Sequence, residues 1–136
     1  TLVEGNRIHG VKLWYEDGGA IYNLSANPNS IIRNNHIFDI SNRIGIYLDE
    51  GSKHFTVTGN VVETGGKWLN INTAGGMFRR RISTDNRPAG NSHNSMSTGG
   101  RWLPAIGNDA RGNFLVPDRD WPAEARKVID EAGPRD

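Results

Sequence analysis

The sequence predicts an all-β chain wound as a solenoid of about five coils, finished by one C-terminal capping helix. Three observations predict it. Apolar residues alternate with period two over short runs, as in Ile44, Ile46 and Leu48, which marks strands with one buried face. The segments between these runs are turn-rich. The 136 residues include 17 glycines and 15 asparagines, nearly a quarter of the chain, and both types tolerate positive φ at corners. The runs also return at regular intervals, the mark of a repeat architecture.

The repeat is read in order from the N-terminus. The pattern Asn-x-aliphatic starts at Asn6, Asn35, Asn60, Asn94 and Asn113, giving five coils. Between these lie Ile21-Tyr22-Asn23-Leu24, Ile46-Tyr47-Leu48-Asp49 and Ile71-Asn72-Thr73-Ala74, at intervals of 25 residues. A longer echo joins Asn60 through Leu69 to Asn94 through Leu103, sharing Asn, Thr-Gly-Gly, a basic residue, Trp and Leu, 34 residues apart. The excess over a 25-residue period predicts an insertion at about 74–92. Several short strands per period with no helix between them stack by parallel ladders about 4.8 Å apart. The recurrent asparagines are expected to hydrogen-bond coil to coil at a bend.

The coils are expected over 1–118, and the helix and tail over 119–136. In the tail, Trp121, Ala125, Val128, Ile129 and Ala132 fall on one helical face. Asp120 and Pro122 suit its start, Glu124 its first turn, and Gly133-Pro134 its end. The helix is expected to lie as a lid or side-packed brace on the last coil. At the other end, Asn6 already holds the repeat's Asn position, with no cap before it. The chain is therefore expected to be the C-terminal part of a longer solenoid, or to cover its open end with a second copy of itself.

Composition narrows the function. Sixteen Lys and Arg balance 15 Asp and Glu, so no basic excess marks a nucleic-acid or anionic-membrane partner. No apolar run of about 18 residues predicts a membrane-spanning helix. The absence of cysteine excludes disulfides, thiol catalysis and Cys-ligated metals. His9, His36, His54 and His93 share no coil level, so no metal site is expected from them, and they read as surface or corner residues. No cofactor is implied.

The stretches Asp17-Gly-Gly-Ala-Ile-Tyr22, Ile32-Arg-Asn-Asn-His-Ile37 and Gly45-Ile-Tyr-Leu-Asp-Glu-Gly-Ser52 resemble right-handed parallel β-helix proteins of the pectate-lyase-like superfamily. They are most similar to β-helical glycoside hydrolases. The resemblance covers roughly residues 3–116, with the C-terminal helix also similar. It implies a right-handed parallel β-helix, a polysaccharide or oligosaccharide partner lying along an outer sheet, and a secreted or periplasmic parent protein. It makes Asp17, Asp49 and Glu50 the candidates for acid or nucleophile, since glycoside hydrolysis uses two carboxyl groups.

The coil alignment tests that implication. Setting Ile21, Ile46 and Ile71 level places Tyr22, Tyr47 and Asn72 in one outward stack, and Asp49 with Leu24 and Ala74. Glu50 then falls with Ser25 and Gly75, and Asp17 with Asn42 and Lys67, so no two acids coincide on adjacent coils. The bland account of Asp49-Glu50-Gly51-Ser52 is a corner whose carboxylates bind turn amides. Tyr22 and Tyr47, and Trp68 with Trp102, are expected as aromatic pairs that pack against sugar faces. Lys67 and Arg101 flank the tryptophans and suit uronates, and Arg79-Arg80-Arg81 is either a solvated loop or a grip on an anionic polysaccharide.

Two rival functions stay open. One is a non-catalytic β-helix module for binding or assembly, associating through its open N-terminal coil. The other is a polysaccharide lyase, for which Asp49, Glu50 and Lys53 are the local cluster, although two carboxylates are few for a Ca²⁺ shell.

Overall fold

The computed structural model describes residues 1–11, 14–73, 82–99 and 107–134. It is a parallel β-solenoid of about four turns. The first coil contributes β1 (Leu2–Glu4), β2 (Arg7–Ile8) and β3 (Gly19–Asn23). The second contributes β4 (Ala26–Arg33), β5 (His36–Ile37) and β6 (Ile44–Leu48). The third contributes β7 (Lys53–Thr58), β8 (Val61–Val62) and β9 (Leu69–Ile71). The fourth contributes β10 (Arg87–Ala89), β11 (Ser92–His93) and β12 (Thr98–Gly99). Then come β13 (Phe114–Leu115) and the helix α1 (Ala123–Glu131).

Every strand pairs in parallel with its counterpart one coil away. The first sheet is β1-β4-β7-β10, the second β2-β5-β8-β11-β13, and the third β3-β6-β9-β12. The fifth Asn-x-aliphatic segment forms β13 alone before the chain leaves for the helix, so the described residues make about four turns rather than five. The core is the narrow interior of the coils. Ile32 and Val57 enter it from the first sheet, Ile37 and Val62 from the second, and Ile46, Leu48, Leu69 and Ile71 from the third. A few inward residues per strand fill this space, which explains why so apolar-poor a chain folds.

The corner between the first two sheets is held by an asparagine ladder. Each amide nitrogen donates to the next carbonyl oxygen, from Asn6 to Asn35, Asn35 to Asn60, Asn60 to Asn91 and Asn91 to Asn113, at 2.8 Å each. The same oxygens also accept the backbone N–H of the preceding ladder residue. Asn35, Asn60 and Asn91 are fully buried, and these bonds supply the partners that buried amides require. The residue before each ladder Asn has positive φ: Gly5, Asn34, Gly59, Gly90 and Gly112. At Gly59 the reason is also steric, because a Cβ there would lie 2.5 Å from Asn34 Oδ1.

The ladder corrects the alignment at one place. Asn91, not Asn94, is its fourth member, and Val61 pairs with Ser92, an interval of 31 residues rather than 34. Asn94 instead accepts the backbone N–H of Thr64 through its Oδ1. Likewise β10 is a regular coil strand inside the expected insertion of 74–92, and β11 begins at its last residue, which confines any insertion to the stretch before them. A second, shorter ladder joins Asn86 to Asn108 at another corner.

The helix braces the side of the solenoid and does not cover its end. Trp121 and Ala125 pack on Val61, on the outer face of the second sheet, with Val128 and Ile129 beside them. Farther along, the N–H of Gly133 donates to the carbonyl of Gly5 in the first coil at 2.8 Å. The segment thus runs along the solenoid from the last coil back to the first. Its start has no side-chain cap, and Pro122 occupies the cap position.

Candidate functional site

The outer face of the third sheet gathers most of the predicted site residues. Tyr22 pairs with Tyr47 across β3 and β6, as the sequence register requires. Their rings meet edge-to-face with centroids 5.4 Å apart, the arrangement ring quadrupoles favour. Tyr22 is 42% exposed. The next step of the register is shorter than 25 residues, because Ile46 pairs with Leu69 and Tyr47 with Asn70. Asn70, not Asn72, therefore lies level with Tyr47. The Leu69-Asn70-Ile71 alternation fits either alignment, and the two-residue slip is set by the corner before it.

That slip places Asn72 against Asp49. Asn72 Nδ2 donates to Asp49 Oδ1 at 2.6 Å, and the Tyr22 hydroxyl donates to Asp49 Oδ2 at 2.6 Å. The Glu50 N–H and the Tyr47 hydroxyl add a third and a fourth donor. Asp49 is only 7% exposed. Burial alone would raise its carboxyl, but these hydrogen bonds outweigh burial and hold it below its ordinary value. The same contact acts in reverse on the phenols. Tyr22 is pushed up by its hydrogen bond to Asp49 and then by burial, and Tyr47 is pushed up to about 12 by burial and the Asp49 charge.

Asp17 takes part through its charge. Its Oδ1 accepts the Gly18 N–H at 2.9 Å, and its charge, like that of Asp49, acts on both tyrosine hydroxyls. Glu50 is exposed in the turn where the Ser52 N–H donates to the Asp49 carbonyl, with Gly51 at φ 74°. Lys53 opens β7 on the first sheet, around that corner, where its backbone pairs with Ala26 and bridges Thr84. The 49–52 segment is therefore a corner, with the Asp49 carboxylate bonded to Tyr22 and Asn72 beside it.

Trp68 overturns the expected tryptophan platform. It is 2% exposed, belongs to the core and stacks on His93 with centroids 4.3 Å apart, so it has no free face for a sugar. Trp102, Arg101 and Arg79-Arg80-Arg81 lie outside the described residues. His36 and His93 correct the reading of the histidines as surface groups, because both are buried. His36 Nε2 lies 2.8 Å from Glu63 Oε1, and Arg119 pairs with the other Glu63 oxygen at 3.4 Å. Burial pulls the His93 imidazole below its ordinary value, partly offset by its bond to the Ser95 carbonyl. Sequence spacing hides these groups because a two-residue strand such as β5 carries too little pattern to tell its inward from its outward side.

The chemistry open to the outer face follows. Asp49 stays charged near neutral pH, so it serves as an acceptor, a charge stabiliser or a nucleophile, not as a proton donor. The tyrosines stay protonated and offer ring faces and a hydroxyl. Among the described residues no three His, Asp or Glu side chains converge as metal ligands would. No family model matches the chain, and neither a curated protein nor a solved structure shows a significant match to it.

Proposed function

We propose that this protein binds a carbohydrate along the outer face of its third sheet. The observation that carries the reading is the Tyr22–Tyr47 pair beside a buried, charged Asp49 and the amides of Asn70 and Asn72. Aromatic faces pack on the apolar faces of a pyranose, and fixed carboxylate and amide groups bond its hydroxyls. The resemblance to β-helical carbohydrate enzymes agrees with this, but a shared fold alone does not assign an activity. Calorimetric titration with neutral oligosaccharides is the test. Tyr47→Ala is expected to weaken binding about tenfold, the worth of roughly 1.4 kcal/mol of stacking. Binding that survives Tyr47→Ala and Tyr22→Ala together excludes this face.

Glycoside hydrolysis is the second reading. What favours it is that the charges of Asp17 and Asp49 both act on the same tyrosine pair, and glycoside hydrolysis uses two carboxyl groups. Asp49, held charged, takes the nucleophile or base role, and Asp17 is the second carboxyl group. Reducing-sugar release that persists in both Asp17→Asn and Asp49→Asn would sink this reading and leave binding untouched.

A further inference from the structure

Among the described residues no cation neutralises the charge of Asp49. Its partners are the Tyr22 and Tyr47 hydroxyls, the Asn72 carboxamide and the Glu50 N–H, all neutral donors. A carboxylate held by neutral donors keeps its negative charge, and that charge attracts a cation seated beside it. Two tyrosine rings stand beside it, one of them 42% exposed, and their π faces attract cations. Carboxylate and ring faces therefore favour the same ligand charge, and both repel an anion.

Resting on the carbohydrate-binding reading, we infer that this face selects amino sugars: an oligosaccharide with free amines, one ammonium seated over the tyrosine rings, within reach of the Asp49 charge. A uronate places its carboxylate where Asp49 already holds one. An N-acetylated sugar keeps the stacking surface and loses the cation. The sequence had pointed the other way, towards uronates held by Lys67 and Arg101. That grouping depended on exposed tryptophans, and Trp68 is in the core.

The test compares three tetrasaccharides by calorimetry on the full chain: tetraglucosamine, its fully N-acetylated counterpart and tetragalacturonate. Tetraglucosamine is expected to bind tightest, about tenfold over the acetylated form. The margin shrinks in high salt, as a charge-driven preference must. Asp49→Asn brings the ratio of the two affinities towards one. If circular dichroism shows that variant unfolded, the salt series on the native chain decides. Equal or tighter binding of the acetylated form, or tightest binding of the galacturonate, overturns the inference. If the acetylated sugar binds and Tyr47→Ala abolishes that binding, the carbohydrate-binding reading stands while the amino preference falls. Binding of none of the three removes the preference, and titration with other neutral glycans then decides whether the binding reading falls with it.

Discussion

Asn60 and Asn94 open the same sequence pattern and have different duties. Asn60 is fully buried, donates to Asn91 and to the carbonyls of Ile32 and Thr58, and accepts from Asn35. Asn94 supplies one acceptor to the Thr64 N–H. Asn60→Ala leaves several buried groups without partners and is expected to cost about 3 kcal/mol, against about 1 kcal/mol for Asn94→Ala. Urea unfolding of the two variants checks this, and equal costs would contradict the ladder assignment. The missed signal was present in the sequence. Gly5, Gly59, Gly90 and Gly112 each precede a ladder Asn, whereas His93 precedes Asn94. The left-handed position before the ladder discriminates better than the aliphatic residue after it, because few side chains tolerate that backbone. Similar reasoning explains Asp49. Its place on the outer face was legible from the Ile46-Tyr47-Leu48 alternation, but its partner Asn72 was not, because corner length sets the register.

At the scale of the element, strands were easier to place than their alignment. The interval between paired residues is 25 from Ile21 to Ile46, then 23 from Ile46 to Leu69, then 29 from Leu69 to Thr98. Period two fixes which face a residue takes, and each of these steps changes the register by an even number, which preserves the face. The helix was legible because its apolar face spans almost three turns. Its docking place was not, because nothing in an amphipathic stripe says which wall receives it. The structure assigns that place to Val61, capped by Trp121. Trp121→Ala is expected to cost about 3 kcal/mol, the usual cost of emptying a buried aromatic site. The loss should be local at first. Helix amides from Arg126 to Ala132 should exchange faster while the core strands β6 and β9 stay protected. Uniform loss of protection would mean that the helix is integral to the coils and not a brace laid upon them.

At the scale of the whole molecule, each coil touches only its neighbours, so stability is close to a sum of coil and interface terms. A middle coil has two interfaces and an outer coil one. The second and third coils are joined by long ladders, including Val61 N–H to Asn35 carbonyl at 2.9 Å and Asn72 N–H to Leu48 carbonyl at 2.9 Å. The first coil meets only the second, and β13 leaves Phe114 and Leu115 55% and 43% exposed. The strap changes this simple gradient, because Gly133 is bonded to Gly5 and so ties the first coil to the tail. Native-state hydrogen exchange should therefore rank the amides of Val61 and Asn72 slowest and that of Phe114 among the fastest. The N–H of Gly5 and of His36, at the first interface, should fall between these limits. Shortening the chain after Ala132 removes the tie and should speed exchange at Gly5 and His36 while leaving Asn72 unchanged. If Asn72 accelerates equally, the solenoid unfolds as one cooperative block and the additive description of its coils fails.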